Sequence, residues 1–236
     1  MLMFSFKNNK PLYDNYFKIY DVKSRKFKLT FLLLFVIFII SIISPAPMNY
    51  LQSIKEEMKL KSCDNLYDYI IPLSASFITI YVFYYDYKNK IYELITFYNR
   101  NNFNYIIFYR WITYILIFTM GSFVTGLIYY RSVGFLSISN LILSLRFIPN
   151  ILFLCSLVLL LLTITKNVYA SLFVLTSYYS IDLLSSGRIF KIVSIGASSN
   201  NFYYTISPAY FLVNRFILLL LSCIFVYISC KSSSKL

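Results

Sequence analysis

Histidine is missing from this sequence altogether, and acidic residues are few, nine Asp and Glu in 236 positions. Without imidazole there is no Ser-His-Asp triad, no HExxH zinc site and no histidine-ligated haem. Carboxylates this scarce leave little from which to build an acid-rich metal site. Five glycines are present and no GxxxxGK[ST] run, so the sequence offers no phosphate-cradling loop for ATP. The four cysteines, Cys63, Cys155, Cys223 and Cys230, show neither CxxC nor ligand spacing, which points away from a metal cluster or a disulfide framework. No catalytic residue, cofactor or metal is expected.

What the chain has in quantity is apolar surface. Hydrophobic residues make up 59% and charged residues 13%, about half the charged share of a soluble domain. Disorder is excluded, because it requires low hydrophobicity. An all-α polytopic membrane protein follows. Six stretches are apolar enough to cross a bilayer, at 27–43, 69–85, 106–130, 141–165, 168–184 and 210–229. A hydrocarbon core of roughly 30 Å takes about 20 helical residues, with about 17 as the lower limit. The first, second and fifth stretches are therefore short. Helix is the expected state, because an open strand edge cannot be satisfied in lipid. Lys166 and Asn167 alone separate the fourth stretch from the fifth, which predicts a tight helical hairpin. The chain reads as one domain over 1–236: an interfacial N-terminal segment (1–26), six helices (27–230) and a short tail (231–236).

Loop charges predict the orientation, since cytoplasmic loops collect Lys and Arg. Lys7, Lys10, Lys18, Lys23, Arg25, Lys26, Lys28, Lys88, Lys90, Arg100, Lys166, Lys231 and Lys235 fall on one side. Lys55, Lys59, Lys61, Arg131, Arg188 and Lys191 fall on the other. Both termini are expected in the cytoplasm. The net charge of +13 then reads as topology and attraction to anionic headgroups of the lipid bilayer, not as nucleic-acid binding. A signal peptide is not expected, because 26 residues precede the first stretch and Pro45 and Pro47 follow it. The final Ser234-Lys235-Leu236 matches a peroxisomal address, but that address serves mainly soluble matrix proteins, and coincidence is the better account.

Two amphipathic segments flank the membrane stretches. Between the second and third, Tyr87, Ile91, Leu94, Ile95 and Tyr98 recur on one helical face, with Lys88, Asn89, Thr96, Asn99 and Arg100 mainly opposite. This predicts a short helix at the cytoplasmic surface, either a passive connector or a surface that docks a partner. Before the first stretch, Leu12, Tyr16, Ile19 and Tyr20 share a face beginning after Pro11, a residue well tolerated at a helix start.

An interfacial elbow helix, six spans with both ends inside and a coupling helix in the first cytoplasmic loop together resemble an ABC-2 type transporter permease. In that family the loop after the second span often reads acidic residue, apolar helix, basic residue, with a further basic residue starting the next span. Glu93, Arg100 and Arg110 stand in that order here. The family's usual proline is replaced by Phe97, Tyr98 and Asn99. The resemblance implies a permease subunit in a bacterial plasma membrane, paired with a second permease chain and driven by a separate cytoplasmic ATP-binding cassette subunit. It also implies export of an amphipathic peptide or lipid-like substrate, as in antimicrobial-peptide export and self-protection. A non-transporting immunity or assembly protein is the alternative, and an intramembrane enzyme fits less well.

Charges inside the spans supply a second candidate site. Arg146, Asp182 and Arg215 all fall near the outer leaflet in the expected orientation. Intramembrane ionisable groups are costly and usually face a cavity or a partner. Either the arginines snorkel outward and Asp182 sits among headgroups, or the three form a cluster that shapes the outer end of a pathway. Asp182 is the single acid within the six stretches as bounded above, which disfavours a proton-driven carrier. A re-entrant or surface-lying hairpin is expected over 185–208, or else a mobile loop. Gly121, Ser122, Thr125 and Gly126 permit close helix approach in the third stretch.

Overall fold

The computed structural model describes residues 25–46, 66–90, 92–93, 103–185, 187–196 and 208–233. Every regular element among them is helical. The elements are α1 (Arg25–Ile43), a π turn (Leu66–Ile70), α2 (Ile71–Lys88), α3 (Phe103–Tyr129), a 3₁₀ turn (Tyr130–Val133) and α4 (Ile138–Leu145). After them come α5 (Ile148–Thr165), α6 (Val168–Leu184), a second 3₁₀ turn (Lys191–Val193) and α7 (Pro208–Ser233). The N-terminal elbow segment lies outside the described residues.

Among the described residues five helical stretches are long and apolar enough to cross a membrane: Arg25–Ile43, Leu66–Lys88, Ile107–Val133, Ile138–Thr165 and Leu212–Ser232. The sixth expected span, α6, is apolar but has 17 residues. Its short length is set locally: Asn167 caps its start, accepting from the Tyr169 and Ala170 amides at 2.9 and 3.4 Å. Lys166 ends α5 in a left-handed conformation, φ 53°, so the chain reverses within two residues.

Two boundaries differ from the sequence expectation. The second span takes in the π turn and runs from 66 to 88, so Asp68 and Asp86 are inside it rather than beside it. The fourth is not one rod. Pro149 lacks the N–H that would continue α4 into α5, and the helix breaks at Arg146 and Phe147 before restarting on the Phe147 carbonyl. Ser137 caps α4 by accepting the Asn140 amide at 3.2 Å.

The long helices alternate in direction, α4 running on into α5. At one end, here called proximal, the start of α1 meets the end of α2 through Lys26 Nζ, which donates to the Val82 carbonyl at 2.6 Å. The same end brings Phe27 of α1 to Tyr114 of α3, ring centroids 6.0 Å apart. At the distal end the Ala46 amide donates to the Tyr129 carbonyl at 2.9 Å. There Tyr67 packs against Tyr129, Tyr130 and Phe147 and shares a 2.8 Å hydrogen bond with Ser41. Helix α5 is the centre: Leu154, Val158, Leu159 and Leu162 have no exposure. Its neighbours are α2, α3, α6 and α7. Apolar side chains gain little by leaving lipid, so close packing and buried hydrogen bonds hold such a bundle. The small residues of α3 serve that packing inside the chain. A Cβ at Gly121 would come within 2.7 Å of Leu34 on α1, and one at Gly126 within 3.2 Å of Ser144 on α4. The single tryptophan, Trp111, is buried and donates its indole N–H to the Cys155 carbonyl of α5 at 3.3 Å.

Candidate functional site: two buried charge clusters

The distal cluster starts from the π turn before α2. A π turn is wider than an α turn and occurs mostly as a short local feature, often at functional sites. This one carries Asp68 inward, 1% exposed. The break between α4 and α5 delivers Arg146, whose Nη2 lies 3.3 Å from Asp68 Oδ2 and 3.4 Å from the Tyr130 hydroxyl. Helix α7 delivers Arg215, whose Nη2 lies 3.7 Å from Asp68 Oδ1. Arg215 also hydrogen-bonds the Asn150 amide oxygen and donates to the Ile195 carbonyl at 3.2 Å. Asn150 completes the group by donating to the Asp68 carbonyl at 3.2 Å and the Ile195 carbonyl at 2.6 Å. One carboxylate thus lies between two guanidiniums, and both arginines are under one-tenth exposed.

Asp182 is not that carboxylate. The structure brings Arg146 and Arg215 together, as the clustered reading of the sequence requires, but around Asp68. Among the described residues Asp182 makes no ion pair. Its Oδ2 accepts from the Ser194 hydroxyl at 3.1 Å and from the Ile195 and Gly196 amides at 3.0 and 3.3 Å. The reason is geometric: the chain after α6 folds back over the end of its own helix, and irregular backbone at membrane depth needs polar side chains to satisfy it. Helices α5, α6 and α7 supply those side chains, Asn150 of α5 as described above. Tyr178 of α6 donates to the Val193 carbonyl at 2.5 Å, and Asn214 of α7 donates to the Ile192 and Ser194 carbonyls at 2.7 and 2.9 Å. Gly196 is required here, because a Cβ would fall on the Tyr69 hydroxyl. Residues 187–196 therefore form a strap tied down over the distal cluster; residues 197–207, the rest of the expected hairpin or loop, lie outside the described residues.

The proximal cluster joins α1, α2 and α3. Arg110 pairs with Asp86, both side chains about one-tenth exposed, at 10% and 12%. Arg110 also lies over the Phe83 ring at 5.7 Å, and Lys26 is close enough to feel both charges. Arg110 is thus committed to Asp86. Tyr87 is buried in the last turn of α2 and stacks on Tyr92 at 5.2 Å. The Tyr92 hydroxyl donates to Glu93 at 3.1 Å. Burial raises the Tyr92 phenol above its ordinary pKa, and the Glu93 carboxylate adds to the shift. Of the expected coupling-helix residues, Ile91, Leu94, Ile95, Tyr98 and Arg100 lie outside the described residues.

The residues missed in the sequence are Asp68, Asp86, Lys26, Asn150 and Asn214. A signal existed for the two acids. They stand immediately outside the 69–85 stretch, in a chain with nine acids in all, where an acid at a span edge needs a partner. Among the described residues no group of His, Cys, Asp or Glu is placed to hold a metal ion. Comparison with known protein families, with curated proteins and with solved structures finds no match.

Proposed function

We propose that the chain is the membrane-spanning permease subunit of an ABC-type exporter in a bacterial plasma membrane. A separate cytoplasmic subunit hydrolyses ATP, and a second permease chain completes the pathway for an amphipathic peptide or lipid-like substrate. The observation that carries this reading is the Asp86–Arg110 pair. It ties the end of α2 to the start of α3, the two helices from which the 87–102 segment departs. A push on that segment is therefore shared by two spans instead of dissipating in one helix end. The chain itself carries out no covalent chemistry in this reading.

The test is co-purification with the ATPase followed by charge reversal. Glu93→Lys or Arg100→Glu is expected to weaken the complex about tenfold, the scale of one good interface contact, or to uncouple hydrolysis from transport. Intact assembly and transport in both variants would reject the placement of the coupling surface. The reading also requires cytoplasmic termini. Single cysteines at Asn9 and Ser233, in a background without the native cysteines, are expected to resist an impermeant thiol reagent in intact cells. Strong labelling at either position reverses the orientation and removes the coupling surface with it.

A further inference from the structure

Among the described non-glycine residues, four have a left-handed backbone, and three of them are lysines: Lys90 and Lys166 at φ 53° and Lys191 at φ 49°, with Leu136 at 58°. Glycine or asparagine fits that conformation with less strain. Strain that persists at a position is a reason to look for what the side chain does there. Lys90 and Lys166 lie at the same, proximal end of the bundle, where α2 finishes and α5 turns into α6.

Lys166, like Lys88, lies against aromatic rings. Its Nζ lies over the Tyr92 ring at 5.5 Å, and Lys88 Nζ lies over Tyr84 at 5.0 Å. Tyr169, 67% exposed, is within electrostatic reach of Lys88. The nearby acids are engaged elsewhere: Asp86 pairs with Arg110, and Glu93 accepts the Tyr92 hydroxyl. Neither Lys88 nor Lys166 makes an ion pair among the described residues. From Tyr169 an exposed apolar stripe runs one turn along α6 to Phe173, 70% exposed. A polar, positively charged head thus sits directly above an apolar track.

We propose that Lys88, Lys166, Tyr84 and Tyr169 form a headgroup site for an anionic phospholipid, with an acyl chain lying along Tyr169 and Phe173. The two ammonium groups supply point charges for a phosphate, and the tyrosines supply hydroxyl donors at the depth where aromatic rings favour the interface. A free phosphate ion does not suffice as the ligand, because exposed lysines in water hold a small anion weakly. The acyl track is what makes the site selective for a lipid. This inference goes beyond the exporter reading and does not depend on an ATPase.

The experiment uses the full chain purified in a neutral detergent, with thermal unfolding followed as lipid is added. Phosphatidylglycerol is expected to raise the midpoint by about 3 °C or more, while phosphatidylcholine and inorganic phosphate leave it in place. Lys166→Gly relieves the backbone and is expected to keep or raise the midpoint without lipid. Combined with Lys88→Gln, it removes at least half of the phosphatidylglycerol shift. Lysines that only cap helix ends would behave differently, lowering the lipid-free midpoint on substitution. Lys166→Asn, which tolerates the same conformation, repeats the measurement should the glycine variant be too flexible to purify. Equal shifts with both lipids, a shift with phosphate alone, or a full phosphatidylglycerol shift in the double variant overturns the proposal.

Discussion

Asp68→Asn is expected to be the most damaging single substitution among the charged residues, lowering stability by about 3–5 kcal/mol. The substitution leaves Arg146 and Arg215 facing each other, both under one-tenth exposed. Attraction to one carboxylate is replaced by repulsion between two cations at low dielectric. Unfolding in detergent, by denaturant or heat, reads the loss. Arg215→Gln in the same chain is expected to return part of it, because one of the two facing positive charges is removed along with the carboxylate. The coupling between the two sites should be about 1–3 kcal/mol, as for residues in direct contact. Asp182→Asn is the informative comparison. Its carboxylate serves two amides and a hydroxyl, and an asparagine oxygen still accepts from such donors. A cost of about 1 kcal/mol is expected there. A larger loss at Asp182 than at Asp68 would mean that the arginines answer to the wrong acid in this assignment.

The second large effect is expected at the proximal cluster. Arg110→Gln strands Asp86, but at a site where about one-tenth of the side chain still reaches the surface and Lys26 lies near. The loss should therefore be smaller than at Asp68, about 2–3 kcal/mol. Asp86→Asn combined with Arg110→Gln removes both charges and is expected to recover more than half of that stability. Function is expected to part from stability in this double variant. If the chain is the permease proposed above and the pair transmits force from the 87–102 segment, the recovered bundle still binds its ATPase but no longer couples hydrolysis to export. A double variant that regains stability and coupling together would show that the pair only glues α2 to α3.

How much of this was legible in the sequence depended on what each feature is made of. Helical membrane character and the hairpin at Lys166 and Asn167 come from local pattern and appear in the structure, whereas the pattern left Arg146 and Arg215 open between snorkelling outward and clustering, and the contacts decide it. The partner of those arginines falls outside a boundary that is three residues too tight at each end. A hydropathy window ends a span at the first charge, so Asp68 and Asp86 were set outside the stretch, although the helix runs through both. The break at Pro149 was missed for a related reason: apolar composition continues across it, and only the absent proline N–H marks it. Asn150 and Asn214 carried no signal at all. Their role depends on where the strap returns, and that is fixed by tertiary packing far along the chain.

The tryptophan at the α3–α5 contact makes the bundle optically self-reporting. With one indole in the chain, emission excited beyond the absorption of the 24 tyrosines has a single origin, and that origin is a buried site where the ring's N–H donates to the Cys155 carbonyl. Separation of α3 from α5 would admit polar surroundings to the ring and shift its emission to the red. The distal and proximal clusters both load onto these two helices or their immediate neighbours. Spectra of the unlabelled protein can therefore tell a variant that has lost a charge contact from one whose central helices have come apart.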